Sequence, residues 1–134
     1  MLTESHTPMT PLETTLAFIA AINNGDATAL RALMTDDHTF TDALAHSFSG
    51  AEAMHTGWQH FFHAYPNYRI TLTQTFADGN HVALFGKAEG GWRVDDKIIP
   101  QTWSVPAAWL AEIHSGKVRH WTVFCDTVWA AAPK

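Results

Sequence analysis

The sequence is poor in cysteine and in basic residues, and each shortage excludes a class of protein. Cys125 is the single cysteine among 134 residues, so no disulfide can form within the chain. This usage fits a reducing cytoplasm. Lysine and arginine number 8 in total and form no cluster, against 13 aspartates and glutamates. We therefore expect neither nucleic acid nor an anionic membrane surface as a partner.

Long apolar runs are missing as well. Residues 1–10 lack the apolar core of a signal sequence, and no stretch reaches membrane-spanning length. Internal repeats, linkers and low-complexity segments are also absent from the sequence. The expectation is one cytoplasmic domain over residues 10–128, with a flexible tail at 1–9 and a second tail at 129–134.

Aromatic residues, in contrast, are abundant. The chain has 6 tryptophans and 8 phenylalanines, within a composition that is 46% hydrophobic and 16% charged. These shares are typical of a folded globular domain. So many rings in one small domain indicate a large aromatic interior, a ligand pocket or an apolar interface.

Three helices are predicted in the first half of the chain. Thr10 and Glu13 form a capping box that begins the first helix, and Gly25 ends it. Asp26 caps a short second helix. Ser49 and residues 50–52 read as a second capping box, which begins a third helix that ends before Pro66. Residues 35–37 are predicted to turn the chain into a short strand that ends at Asp42.

Four long strands are predicted after Pro66, over residues 68–77, 81–94, 97–113 and 118–126, with tight turns between them. Helices followed by a meander of strands indicate an α+β domain. In this prediction the helices pack on the concave face of a strongly curved, mostly antiparallel sheet.

Asp42 is the strongest candidate for chemistry. In a strand, His38, Phe40 and Asp42 share one face, and Phe40 marks that face as the side turned to the core. A carboxylate in apolar surroundings is costly unless it is paired, hydrogen-bonded or used chemically. The alternative is structural, because Asp is also common where a strand ends or a turn starts.

Residues 18–26, residues 33–37, the strand that ends in Asp42, Ser49-Gly50, and residues 116–121 together resemble the nuclear transport factor 2-like superfamily. Within it the similarity is to the SnoaL-like and ketosteroid-isomerase-like branch. The resemblance covers roughly residues 10–128. It implies a cone-shaped α+β half-barrel with a deep apolar pocket between sheet and helices. This fold hosts isomerases, cyclases, hydrolases, dehydratases and binding proteins.

Position by position, the resemblance carries over in part. Asp42 falls at the position where ketosteroid isomerase has its general-base aspartate. The two oxyanion donors of that enzyme are replaced by Phe18 and Ala108, which cannot donate. Lys87 and Glu89 fall near two residues of limonene-epoxide-hydrolase-like enzymes, with Val123 at the third position. SnoaL-like cyclases need little more than one carboxylate in an apolar pocket.

The resulting hypothesis is an enzyme that moves a proton on a small hydrophobic carbonyl compound, with Asp42 as general base and neither metal nor organic cofactor. A binding protein for a hydrophobic ligand, and epoxide hydration by Asp42, Lys87 and Glu89, are the alternatives. The spacing of His55, His60 and His63 is typical of helix-surface histidines and not of metal ligands. The expected pocket residues are Phe18, Phe40, His46, Trp58, Phe62, Lys87, Glu89, Ala108, Trp121, Val123 and Cys125.

A homodimer is also expected. Around Trp103 and Trp109, both faces of the predicted strand are apolar, so the convex face of the sheet needs a cover. A second copy of the chain would supply that cover.

Overall fold

The computed structural model describes residues 9–134, so the expected tail at 1–9 lies outside the described residues except for Met9. The first half contains three helices and two strands: α1 (Pro11–Asn23), α2 (Ala27–Ala32), β1 (Met34–Thr41), β2 (Ser47–Ser49) and α3 (Ala51–Ala64). The second half contains β3 (Arg69–Asp78), β4 (His81–Val94), β5 (Lys97–His114), β6 (Lys117–Cys125) and a 3-10 turn at Val128–Ala130.

The strands form one mixed sheet in the order β2-β1-β6-β5-β4-β3. The meander from β3 to β6 is antiparallel throughout, and only β1 and β6 run parallel. The helices cover the concave face of this curved, unclosed sheet. The predicted α+β architecture is confirmed, because local turn chemistry and alternation dictate a meander whose apolar side must be covered by helices.

Helix starts agree with the sequence in one case and differ in the other. The Thr10 backbone N–H donates to Glu13 Oε1 at 2.9 Å, and the Glu13 N–H donates to Thr10 Oγ1 at 3.1 Å, which confirms the first capping box. The second capping box was wrong. Gly50 is the N-cap of α3, at φ 99°, with no side-chain cap. Ser49 belongs instead to β2, where it pairs with Thr39.

The strand that carries Asp42 begins earlier than predicted. Residues 35–37, expected as a turn, are part of β1. Met34 pairs with Val118 of β6, and Phe40 pairs with Trp121. The register shifts between these pairs, so Asp36 and Asp37 lie in an irregular part of β1, and the pairing on either side of them, with a strand distant in sequence, extends the strand through residues 35–37.

The two faces of the sheet are clearly different. Along β5, Trp103 and Trp109 are 7% and 1% exposed and point to the helices. Their neighbours Ser104, Pro106 and Ala108 point to the convex face. The two tryptophans therefore belong to the concave core, and the apolar residues of the convex face are different ones.

Candidate functional site

An apolar cavity of ≈ 390 Å³ lies between α3, the end of β1, the β6 strand and the C-terminal turn. Its mouth is at the exposed side chains of Leu44 and Phe48. Seven aromatic side chains contribute to the wall. The lining residues are Phe40, Asp42, Ala43, Leu44, Phe48, Ala53, Met54, Gly57, Trp58, Phe61, Tyr65, Tyr68, Val123, Thr127, Trp129 and Ala130.

Helix α3 supplies one wall because its apolar residues recur at helical spacing. Met54, Trp58 and Phe61 lie on one face. Trp58 and Phe61 meet edge-to-face with ring centroids 5.5 Å apart. Phe62, expected in this pocket, follows Phe61 by one residue and therefore points to a different side of α3. It lines a shallow surface depression with residues 24–28, and Phe61 takes the place expected for it.

The C-terminal turn supplies the opposite wall, although the sequence placed it in a tail. The Trp129 ring stacks on Trp103 at 4.4 Å. Its carbonyl oxygen accepts a hydrogen bond from Trp92 Nε1 at 2.8 Å. The Tyr65 hydroxyl donates to the Ala130 carbonyl oxygen at 2.9 Å. These contacts hold the turn against the cavity, so Trp129 belongs to the packed domain.

Asp42 lines the cavity, but its surroundings differ from those expected. Its carboxylate Oδ1 accepts hydrogen bonds from the backbone N–H groups of Leu44 and His46, each at 2.9 Å. Its side chain is 29% exposed. The expectation of a largely buried carboxylate with few donors was therefore wrong. Asp42 stands at the end of β1, where the turn that follows supplies donors.

His46 lies outside the cavity wall, next to Asp42. Its Nδ1 is 3.5 Å from Asp42 Oδ2, and the imidazole is 65% exposed. The turn places the two groups together because the Asp42 N–H donates to the His46 carbonyl oxygen at 2.9 Å. The pair places an exposed imidazole next to the carboxylate of the cavity.

Phe18 and Trp121 are part of the core and do not line the cavity. Both are 0% exposed, and their ring centroids lie 4.7 Å apart. Phe18 also packs near His38 and Trp58. These rings fill part of the interior between the sheet and the helices, and the cavity lies nearer its mouth at Leu44 and Phe48.

Lys87, Glu89 and Ala108 lie on the opposite face of the sheet from the cavity. Ala88, between the first two, is 2% exposed, so its neighbours point to the convex side. Lys87 Nζ and Glu89 Oε1 are 3.5 Å apart. Ala108 is on this face as well, paired with Phe85 and Phe124. The pocket predictions for these three residues fail because strand alternation points their side chains outward.

Phe40, Trp58 and Val123 lie in the cavity wall together with Asp42, as the sequence predicted. Cys125 is half-buried behind this wall, opposite Ala107. Burial raises the pKa of the Cys125 thiol, while the neighbouring Trp129 indole N–H acts in the opposite direction. The thiol is therefore not activated as a nucleophile.

Twelve of the sixteen wall residues escaped the sequence analysis, and five of these are aromatic: Phe48, Phe61, Tyr65, Tyr68 and Trp129. Phe61 and Tyr65 recur at helical spacing with Met54 and Trp58, a pattern that indicates burial and does not reveal a cavity. Tyr68 and Trp129 lie at the edges of predicted elements, where periodicity carries no signal.

Of the cavity-lining residues that the structure describes, Asp42 alone carries a charge. Within residues 9–134, no group of three or more histidine, cysteine or acidic side chains is arranged to hold a metal ion. The same residues contain no helix with both the length and the apolarity needed to cross a bilayer.

Comparison with known proteins agrees with this architecture. A protein classed as a SnoaL-like polyketide cyclase from a Jannaschia species has a TM-score of 0.78 at 17% identity, over 99% of this chain and 100% of that one. A protein of ketosteroid-isomerase-like fold from Catenulispora acidiphila, in complex with trimethylamine, has a TM-score of 0.75 at 22% identity, over 86% of each chain.

A third solved structure, of a protein classed as a polyketide cyclase from Pseudomonas putida, has a TM-score of 0.74 at 27% identity, over 87% of this chain and 91% of that one. No protein of curated function matches the sequence. The SnoaL-like domain family matches residues 15–121, which is most of the chain. The protein therefore belongs to the SnoaL-like domain family.

Proposed function

We propose that this protein transfers a proton on a small, apolar carbonyl compound bound in the aromatic cavity, with Asp42 as general base. The reaction is of the isomerase, cyclase or lyase type, and it needs no organic cofactor. The observation that carries the proposal is the position of one carboxylate in an otherwise uncharged, ring-lined cavity.

The hydrogen bonds at Asp42 support this role as well as a turn role. The two backbone donors hold Oδ1 and fix the orientation of the carboxylate. Oδ2 stays available to a ligand proton, and His46 Nδ1 lies 3.5 Å from it. A base held in one orientation loses little entropy when it reacts. His46 would return the proton to solvent or to the product.

Deuterium exchange tests this proposal without knowledge of the substrate. A set of small cyclic and aryl methyl ketones is incubated in D₂O with the protein, and NMR follows deuterium incorporation next to the carbonyl. We expect the wild type to accelerate exchange for at least one ketone. Asp42→Asn should lose about 100-fold or more of that acceleration.

Asp126→Asn is the matched control, because Asp126 Oδ1 also accepts a backbone N–H, from Val128 at 2.9 Å, and does not line the cavity. This variant should exchange like the wild type. Exchange that is equally fast in Asp42→Asn would refute the role of Asp42.

The second candidate is a non-catalytic protein that binds a small hydrophobic ligand. The two hydrogen bonds from Leu44 and His46 favour it, because they explain the presence of Asp42 as a turn residue. The trimethylamine complex of the Catenulispora relative supports binding of a small organic molecule by this fold. Ligand binding that is equal in the wild type and Asp42→Asn, with no exchange in either, would select this candidate.

Epoxide hydration has lost its support. It required Lys87 and Glu89 beside Asp42, and these two side chains form an ion pair on the convex face. The cavity-lining residues include no cation to replace Lys87.

We also propose that two copies of the chain associate through the convex face. Phe76, Phe85 and Phe124 are 58%, 42% and 53% exposed there. Phe76 pairs with Ala83 of β4, and both Phe85 and Phe124 pair with Ala108 of β5. These pairs join the three phenylalanines into one apolar patch across four strands. Such a patch is typical of a contact surface.

The lone half-buried cysteine supports our proposal of a cytoplasmic location.

A further inference from the structure

Tyr68 occupies a distinctive position in the cavity wall. It lies just before β3, half-buried, with its ring edge-to-face on Phe61 at 4.8 Å. On its other side the ring packs on Trp103 at 5.8 Å. These contacts hold the ring in place, so the direction of its hydroxyl is set by the packing.

Three of the neighbouring polar aromatic groups are satisfied by backbone carbonyls. The Tyr65 hydroxyl donates to Ala130 O at 2.9 Å, and Trp103 Nε1 donates to Gly91 O at 3.0 Å. Trp92 Nε1 donates to Trp129 O at 2.8 Å. The Tyr68 hydroxyl makes no hydrogen bond with any of residues 9–134, and the indole N–H groups of Trp58 and Trp129 are likewise without a partner there. A polar group in an apolar cavity without a partner is costly unless a ligand or water completes it.

The Tyr68 hydroxyl is suited to donate a hydrogen bond. Burial raises the pKa of the phenol, and the nearby Cys125 thiol raises it further, so the proton stays on the oxygen at neutral pH. Asp42, in the proposed role of general base, acts as an acceptor. The cavity wall therefore carries an acceptor, Asp42, and a phenol donor, Tyr68.

We propose that the Tyr68 hydroxyl binds the oxygen of the ligand, so that the cavity selects ketones over hydrocarbons of the same shape. The inference rests on the proposed function, because the bound carbonyl is the one whose neighbouring carbon Asp42 deprotonates. Asp42 takes the proton from that carbon, and the electron pair of the C–H bond moves to the carbonyl oxygen. Tyr68 stabilises the resulting enolate by its hydrogen bond and keeps its own proton. After exchange with solvent through His46, a proton then returns from Asp42 to carbon.

A pair of isosteric probes tests this selection. Methyl cyclohexyl ketone and ethylcyclohexane differ by a carbonyl in place of a methylene group, and ligand-observed NMR gives their dissociation constants. Tyr68 should strengthen binding of the ketone, and not of the hydrocarbon, by roughly 3- to 10-fold, the effect of one hydrogen bond, and this gain is the ketone preference that the ratio of the two dissociation constants measures. Tyr68→Phe should lose this preference. Thr73→Val, which removes a hydroxyl that donates to the Phe85 carbonyl oxygen outside the cavity, should retain it.

A second readout separates a hydrogen bond from a change of shape. The infrared C=O stretch of the bound ketone should shift to lower frequency in the wild type and in Thr73→Val, and not in Tyr68→Phe. A ketone preference or a shift that persists in Tyr68→Phe overturns the inference, as does failure of the wild type to bind either probe.

The outcome for Tyr68 is distinguishable from that for Asp42. Asp42-dependent deuterium exchange with an unchanged ketone preference in Tyr68→Phe would refute the Tyr68 inference and leave the proposed function standing. Ketone selection that depends on Tyr68, without any exchange, would refute the proposed function and leave the binding role of Tyr68 standing.

Discussion

At the scale of single residues, Asp42 shows how one side chain can serve a turn and a cavity together. Its Oδ1 organises residues 42–46 through two backbone N–H groups, while the same carboxylate reaches the cavity wall. Loss of stability and loss of activity therefore need to be separated by the choice of substitution.

Asp42→Ala should lower the free energy of unfolding by about 1–2 kcal/mol, because two backbone donors lose their acceptor. Asp42→Asn should lower it by less than half as much, because the amide oxygen can still accept both hydrogen bonds. Urea denaturation of the two variants measures the difference. Equal losses in Asn and Ala would show that the charge, and not the hydrogen bonds, stabilises the turn.

His38 is a second residue with a measurable consequence. It is 0% exposed, and its Nδ1–H donates to Val118 O at 2.7 Å. Burial lowers the pKa of His38 below the ordinary histidine value of 6.5; His120 lowers it further, while the Val118 hydrogen bond and Asp37 act in the opposite direction. The imidazole is therefore neutral in the folded protein at pH 7.

A lowered pKa in the folded state means that the unfolded chain takes up the proton first as the pH falls. The stability contributed by neutral His38 is complete above pH 6.5, the ordinary value, and decreases below it until the folded-state pKa is reached. Thermal unfolding between pH 7.5 and 5 should therefore show a steeper loss for the wild type than for His38→Gln. Parallel curves would contradict a neutral buried imidazole.

At the scale of elements, the bulge between β3 and β4 depends on Gly86. The register shifts there between Leu72 and Gln74. A Cβ at Gly86 would overlap the Thr71 carbonyl oxygen and lie 2.9 Å from Leu72 Cα. The close backbone approach explains why only glycine fits in this strand.

Gly86→Ala should lower the free energy of unfolding by at least about 2 kcal/mol, because backbone must move on either strand. Gly57→Ala in α3 is the control, since its Cβ would meet only Met54 Cε at 3.9 Å. This second change should stabilise the helix by up to about 1 kcal/mol. Chemical denaturation compares the two, and a neutral Gly86→Ala would mean that the strands separate more easily than the register implies.

At the scale of the whole molecule, the convex face of the sheet is the surface that decides association. Three exposed phenylalanines from β3, β4 and β6 share it, and Phe76 and Phe85 meet edge-to-face at 5.9 Å. The Lys87–Glu89 ion pair also lies on this face, as does the His81–Glu112 contact at 3.5 Å. Apolar residues beside complementary charges are typical of a protein contact.

Phe85→Lys should convert a homodimer to a monomer, because two lysines would meet near the centre of a two-fold contact. Leu16→Lys is the control, since Leu16 is an exposed α1 residue, 41% accessible, away from the sheet. Light scattering at micromolar concentration gives the mass of each. A wild-type protein that is itself monomeric there would refute association through this face.

The local sequence determined most of the architecture. The capping box at Thr10, the tight turns and the alternation of β3 to β6 were sufficient to predict helices followed by a meander, because each depends on neighbouring residues. The placement of Asp42, Phe40 and Trp58 in one cavity wall was also predictable, through strand alternation, helical spacing and the family resemblance.

Only the tertiary structure decided which faces meet. Lys87, Glu89 and Ala108 point away from the cavity because a strand offers two faces, and the choice between them depends on which one the helices cover. Trp129 and Tyr68 join the wall through rings distant in sequence, a contact that no local pattern encodes. The exposure of Asp42 likewise depends on its turn and on how the cavity mouth closes, which packing alone determines.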